Sequence, residues 1–111
     1  MGNKQKLDRA GLERVAKVFH AFSDATRLAI LQELKSGPCG VGELVERVGG
    51  SQGNVSKQLQ VLAETGFIRR DKKGNQVFYS IADEGIFEMC KVVCAKLNEE
   101  AQGKASFVFE I

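Results

Sequence analysis

The first third of the chain places hydrophobic residues at the three- and four-residue spacing of amphipathic helices. The first stripe consists of Leu12, Val15, Ala16, Phe19 and Phe22. Ser23 or Asp24 can then cap a second helix. Its apolar positions are Leu28, Ile30, Leu31 and Leu34. Because Ser36-Gly37-Pro38 is a strong stop signal, two consecutive helices are predicted before residue 36.

The middle of the chain predicts two more helices joined by a tight turn. A short helix from about Val41 to Val48 presents Leu44, Val45 and Val48, and Gly49-Gly50 permits a sharp turn after it. Ser51 can cap a fourth helix, from about Gln52 to Thr65, that Gly66 can end. One side of this helix carries Val55, Leu59 and Leu62, and the other carries Gly53, Ser56, Lys57 and Gln60. This order is that of a helix-turn-helix motif.

The segment IRRDKKGNQVFYSI, residues 68–81, has the pattern of a β-hairpin. Gly74-Asn75 can adopt left-handed turn geometry, and Val77, Tyr79 and Ile81 alternate with Phe78 and Ser80. Asp83 then opens a final helix. The stripe of that helix is Ile86, Cys90, Val93 and Leu97, with Met89 and Cys94 on its flanks. Residues 106–111, SFVFEI, are apolar and alternating, which fits either an added strand or a docked tail.

These elements predict a mainly α fold with a small β-hairpin, in the order α-α-α-α-β-β-α. With 111 residues, 43% of them hydrophobic, residues 1–111 fit one domain without an internal repeat. The chain contains no apolar run of about 18 residues, and its start lacks the apolar middle of a secretory signal. We therefore expect a cytoplasmic protein. Three cysteines without an export signal favour reduced thiols over disulfides.

Positive charge is concentrated in the fourth helix and the hairpin. Residues 51–80 carry five Lys or Arg and two Asp or Glu, whereas residues 81–111 carry three and six, so a total of +2 conceals local nets of +3 and −3. The hairpin tip holds Arg69, Arg70, Lys72 and Lys73 against Asp71 alone. On the helix, the side chains suited to base edges and phosphates are Asn54, Ser56, Lys57 and Gln58. An ordinary solvated helix face, or a winged helix that binds an acidic protein, would show the same polarity.

Four segments together resemble the ArsR/SmtB family of winged helix-turn-helix repressors, over residues 12–97. They are FSDATRLAILQELKSG, VGELVERV, SQGNVSKQLQVLAETGFI and NQVFYSI. The resemblance implies a homodimer, formed largely by the first and last helices, that binds a palindromic operator in double-stranded DNA and releases it when an effector binds. It places Gln52, Asn54, Ser56, Lys57 and Gln58 in the major groove. It places Arg70, Lys72, Lys73 and Asn75 at the wing.

At the positions that match the family's metal sites, this sequence lacks the metal-binding residues. Members that sense metals between their paired last helices use Asp and His ligands, but His20, the single histidine, lies in the first helix. The Cys-x-Cys of arsenite-sensing members corresponds to Gly40 and Gly42. We expect His20 to be a partly buried structural residue.

The remaining candidates for effector chemistry are thiols. Cys90 and Cys94 lie one helical turn apart, and Cys39 from either protomer could join them. Such thiolates could hold As(III), Cd(II) or Pb(II), or could react with oxidants or sulfane sulfur. They could equally be small buried hydrophobic residues. No cofactor is expected beyond such an effector.

An enzyme is not predicted. The chain lacks a phosphate-cradling glycine loop, an HExxH motif and a nucleophile with a base and an orienting group.

Overall fold

Residues 5–101 and 108–111 are described in the computed structural model, and the predicted helices and hairpin form in the predicted order. The elements are α1 (Arg9–Ala21), α2 (Ala25–Leu34), β1 (Cys39–Gly40), α3 (Val41–Val48), α4 (Gln52–Ala63), β2 (Ile68–Lys73), β3 (Gln76–Ile81) and α5 (Gly85–Ala101). The predicted winged helix-turn-helix fold is thus confirmed, with one added strand.

Side-chain caps set the starts of the helices. The Asp24 carboxylate, not Ser23, accepts a hydrogen bond from the Arg27 amide at 3.1 Å. Ser51 Oγ accepts one from the Asn54 amide at 3.1 Å, as predicted. Asp83 accepts from the Gly85 amide at 2.8 Å, where α5 begins. Each cap satisfies an amide that has no partner within its own helix.

The sheet has three strands in the order β1-β3-β2, so the two-strand prediction was incomplete. Cys39 pairs with Tyr79 and Gly40 with Phe78, antiparallel. A two-residue strand is too short to show an alternating pattern, which explains why it was missed. The hairpin turn is where the sequence predicts it, with Gly74 at φ +62°.

The core lies between α2, α3, α4, the first half of α5 and the sheet. Its fully buried side chains are Ile30, Leu31, Leu34, Leu44, Val55, Leu59, Leu62 and Ile86. The predicted inner face of α4 is therefore confirmed. The stripe on α1 is different: Leu12 is 54% exposed and Phe19 60% exposed, and Ala21 is the buried residue of this helix. Val93 and Leu97 on α5 are also exposed.

Residues 108–111 dock on α5 and α2 without forming a strand. Asn98 accepts from the Phe109 amide at 2.7 Å and donates to the Phe109 carbonyl at 3.0 Å. Lys35 Nζ donates to the Ile111 backbone oxygen at 2.9 Å. For these four residues the docked tail is the correct alternative. The rest of the predicted tail, residues 103–107, with the first two residues of SFVFEI, lies outside the described residues.

Candidate nucleic-acid interface and cysteine pair

The outer face of α4 presents polar side chains because its inner face is fully used in packing. Val55, Leu59 and Leu62 have no exposed surface. At helical spacing this turns Gln52, Asn54 and Lys57 outward, and all three are exposed, while Ser56 is half-buried. The helix begins at an amide-rich terminus capped by Ser51, which favours an approaching anion.

The hairpin formed by β2 and β3 is the wing of the fold, and its edge is cationic. Arg70, Lys72, Lys73 and Asn75 are all exposed. Asp71, the one acidic residue of the hairpin strands, is engaged by Arg69 at 3.2 Å. Within the described part of the chain, Arg70, Lys72 and Lys73 have no ion-pair partner. The wing therefore carries positive charge that is not neutralised by its own neighbours.

An open groove of about 580 Å³ separates α4 from the wing. Gln52 and Ser56 line it from α4, and Arg70 and Asn75 line it from the hairpin. The fold thus brings together two sets of predicted residues that lie well apart in the chain. Double-stranded nucleic acid could contact α4 and the wing at the same time.

Gln58 is placed differently from the other predicted contacts. It is half-buried, and its Oε1 accepts a hydrogen bond from Nη1 of Arg27. Arg27 is 9% exposed and also donates to the backbone carbonyls of His20 and Ala21. Arg27 lies inside one of the family-like segments, but its contact with Gln58 was not predicted, because a separation of 31 residues gives no local signal. His20 itself is exposed, so the expected partial burial is wrong; its carbonyl is what the fold uses.

The three cysteines are free and buried, and they lie on two different elements. Cys90 and Cys94 lie on α5. Cys39 lies in β1, with Arg47 Nη1 3.9 Å from its sulfur. Among the residues that the structure describes, no three His, Cys, Asp or Glu side chains are grouped to hold a metal ion. One protomer alone therefore does not assemble the three-sulfur arrangement.

Burial affects the acidity of two of these thiols, Cys90 and Cys39. Burial raises the pKa of Cys90, the nearby Cys94 raises it further, and Lys35 partly opposes the shift. Burial likewise raises the pKa of Cys39, with Glu43 and Glu33 adding to the shift and Arg47 opposing it. Both groups are therefore protonated at neutral pH in this conformation. Each must lose its proton before the thiolate can bind a soft ion or react with an oxidant.

An apolar hollow of about 380 Å³ adjoins Cys90 and Cys94. Phe19 lines it from α1, Leu28 from α2, Val93 and Leu97 from α5, and Ile111 from the docked tail. The two thiols thus lie beside the exposed apolar surfaces of the first and last helices.

Comparison with known proteins identifies this architecture. The family model described as "Helix-turn-helix domain" matches residues 22–71. The HTH-type transcriptional regulator NmtR of Mycobacterium tuberculosis is 35% identical over 83 residues, which cover 75% of this chain and 69% of NmtR. None of the helices in the described ranges is long and apolar enough to cross a membrane.

Two solved structures share the fold over nearly their whole length. One is the homodimeric winged helix-turn-helix DNA-binding domain of a possible ArsR-family transcriptional regulator from Mycobacterium bovis, with TM-score 0.73 and 25% identity, covering 96% of this chain and 98% of that one. The other is the antimony-specific transcriptional repressor AntR, with TM-score 0.72 and 29% identity, covering 92% and 93%. The chain belongs to the ArsR/SmtB family of winged helix-turn-helix transcriptional regulators, which are DNA-binding proteins and not enzymes.

Proposed function

We propose that this protein is a cytoplasmic, homodimeric repressor that binds a palindromic operator in double-stranded DNA and releases it when an effector binds. The observation that carries the proposal is the groove between α4 and the wing. Gln52 and Ser56 line it on one side, and Asn75 and the unpaired cation Arg70 line it on the other, with Lys72 and Lys73 exposed on the same hairpin. The proposed contacts are Gln52, Asn54, Ser56 and Lys57 at the major groove and Arg70, Lys72, Lys73 and Asn75 at the wing. Gln58 is proposed to act indirectly, through its hydrogen bond to Asn54, and not by contacting DNA itself.

A homodimer is supported by the exposed apolar stripe of α1. Leu12, Val15 and Phe19 are 42–60% exposed, and Val93 and Leu97 on α5 continue the apolar surface. Contiguous apolar surface of this kind marks an interaction site. A twofold dimer would place two copies of α4 about 34 Å apart, the spacing of successive major grooves.

Charge reversal tests the DNA-binding surface. In fluorescence anisotropy with a duplex from the protein's own promoter, Lys57→Glu, Lys72→Glu and Lys73→Glu should each weaken binding. For each phosphate that the variant no longer neutralises, the slope of log K against log salt should also fall by about 0.9. Lys6→Glu makes the same charge change ahead of α1 and serves as the control. Unchanged affinity and slope in all three variants would contradict the proposed surface.

The effector is proposed to act at Cys90 and Cys94. Their adjacency in the apolar hollow supports binding of a soft ion such as As(III), Cd(II) or Pb(II). Redox or persulfide chemistry at the same pair is the alternative. Any such ligand regulates DNA binding only if it favours one dimer geometry over the other.

The thiol proposal is tested by release of bound DNA. Arsenite, cadmium, lead and a persulfide donor are added separately to the reduced protein on its duplex. We expect one of them to release the wild type but not Cys90→Ser or Cys94→Ser. Cys39→Ser is the matched comparison, because Cys39 is not grouped with the pair within one protomer. A wild-type response from it would confine the site to the α5 pair, and a lost response would add Cys39 of the second protomer to the site. A normal response from both α5 variants would contradict a thiol effector.

A further inference from the structure

A chain of hydrogen bonds with a fixed direction runs from the end of α1 to the outer face of α4. Arg27 donates from Nε to the Ala21 carbonyl at 2.6 Å, from Nη2 to the His20 carbonyl at 3.2 Å, and from Nη1 to Gln58. A guanidinium group can donate hydrogen bonds but cannot accept them. The end of the Gln58 amide that faces Arg27 must therefore be its oxygen.

This constraint passes along the helix to Asn54. With Oε1 facing Arg27, the other end of the Gln58 amide is Nε2, a donor, and it lies 3.2 Å from Asn54 Oδ1. The Asn54 amide must then point its oxygen back toward Gln58. Its remaining polar atom, Nδ2, has no hydrogen-bond partner among the described residues, and Asn54 is exposed.

The hydrogen bonds can impose this orientation because the Arg27 guanidinium, where they start, is buried. Arg27 is 9% exposed, and its positive charge is compensated by carbonyls at the carboxyl end of α1. Rotating the Gln58 amide would turn an NH₂ group against a buried cation and leave a donor without an acceptor, which is strongly unfavourable. Neither the Gln58 amide nor the Asn54 amide is therefore free to exchange its two ends.

We infer that Arg27, acting through Gln58, commits Asn54 to contact the operator as a hydrogen-bond donor. A free asparagine pairs with adenine by donating to N7 and accepting from the N6 amino group. Here Oδ1 is turned toward Gln58, which uses one of its two lone pairs and leaves Nδ2 as the outward-facing group. Guanine presents two adjacent acceptors, O6 and N7, and suits the outward NH₂ group. At the base read by Asn54 we therefore expect guanine to be favoured over adenine.

The inference rests on the proposed DNA binding and is tested by base preference. Randomised duplexes are captured by the wild type and sequenced, and Asn54→Ala identifies the position that loses its preference. Gln58→Glu keeps an acceptor for Arg27 but has no hydrogen to donate to Asn54. In this variant the Asn54 amide should reverse, so that Nδ2 donates to the Glu carboxylate and Oδ1 faces outward. The guanine-over-adenine preference should then fall by about tenfold at that position. Gln60→Glu, an equal charge change on the exposed part of α4, should leave the preference unchanged.

The outcomes separate the inference from the proposed function. If the wild type enriches no duplex, DNA binding itself is contradicted, and the inference fails with it. If the wild type enriches a site but Asn54→Ala alters no base preference, or if adenine is preferred at the position it alters, only the inference is overturned. It is overturned as well if Gln58→Glu retains the full preference for guanine.

A second measurement needs no DNA. The side-chain amide resonances of Asn54 in the free protein should shift in Gln58→Glu and in Gln58→Met, which has neither hydrogen-bonding end. They should stay in place in Gln60→Glu. Unmoved Asn54 resonances in both Gln58 variants would show that the hydrogen bonds do not hold this amide and would overturn the inference.

Discussion

Helices α1 and α4 have similar apolar stripes in sequence but opposite surroundings in the fold. Val55, Leu59 and Leu62 of α4 are completely buried by α2, α3 and the hairpin, whereas Leu12, Val15 and Phe19 of α1 remain exposed. A helical period shows that one face avoids water. It does not show whether the same chain or a second chain covers that face.

The two stripes therefore have different roles, one in the stability of the protomer and one in association. The α4 stripe stabilises the protomer and holds the polar face of α4 outward. The α1 stripe contributes little to the core of its own protomer and is available for association. Arg27 connects the two regions, because it binds carbonyls at the end of α1 and the Gln58 side chain on α4.

The largest expected effect is at the α4 stripe. Leu59→Ala removes a fully buried side chain and leaves a cavity, so we expect the free energy of unfolding to fall by about 2–5 kcal/mol. Urea denaturation at several protein concentrations measures this. A decrease below about 1 kcal/mol would mean that the helix does not pack as described.

A similar loss of a large apolar side chain on α1 should weaken dimer formation. Phe19→Ser removes an aromatic ring that is 60% exposed in the protomer. We expect the dimer dissociation constant to rise by at least about tenfold, since burying such a ring contributes roughly 1.5–3 kcal/mol. Sedimentation velocity over a dilution series measures it, with circular dichroism to establish that the helices remain. An unchanged dissociation constant would remove α1 from the interface.

The link between the two regions should have an intermediate effect on stability. Arg27→Met leaves the His20 and Ala21 carbonyls and the Gln58 amide without their donor, so we expect the free energy of unfolding to fall by about 1–3 kcal/mol. Arg9→Met, in an exposed ion pair with Glu13, is the control and should change stability by less than about 0.5 kcal/mol. Equal decreases in the two variants would contradict a structural role for Arg27.

The smallest expected effect concerns the thiol beside the apolar hollow. Because burial and Cys94 raise the pKa of Cys90, its thiolate fraction at about pH 7.5 is lower than that of a free cysteine. Alkylation of Cys90, followed by mass spectrometry, should therefore be slower than in the urea-unfolded chain. Its rate should rise steadily with pH up to and beyond the ordinary cysteine pKa of about 8.5. A rate equal to that of the unfolded chain would contradict the described burial.

Local patterns were sufficient for most of the fold. The Ser51 cap, the buried face of α4 and the turn at Gly74 each depend on residues close together in sequence. The prediction failed at β1, whose two residues carry no periodic signal, and at His20, whose burial depends on what packs beside α1. For residues 108–111 the sequence left two alternatives, because hydrogen bonds from Asn98 and Lys35 decide the docking.

The candidate site was predictable as a set of residue types but not as an arrangement. Charge and polarity pointed to the outer face of α4 and to the wing. They did not distinguish side chains that face outward, such as Asn54, from Gln58, which is turned inward by an arginine 31 positions away. Nor could spacing reveal that Cys39 lies apart from Cys90 and Cys94.

Dimeric binding to DNA is tested most directly by the stoichiometry of the protein on DNA. Sedimentation velocity of the reduced protein with a labelled duplex from its own promoter should show two protomers per duplex, and Phe19→Ser should fail to form this complex at concentrations where the wild type retains it. A complex with one protomer per duplex, or no specific complex at all, would contradict a dimeric repressor that reads DNA with α4 and the wing.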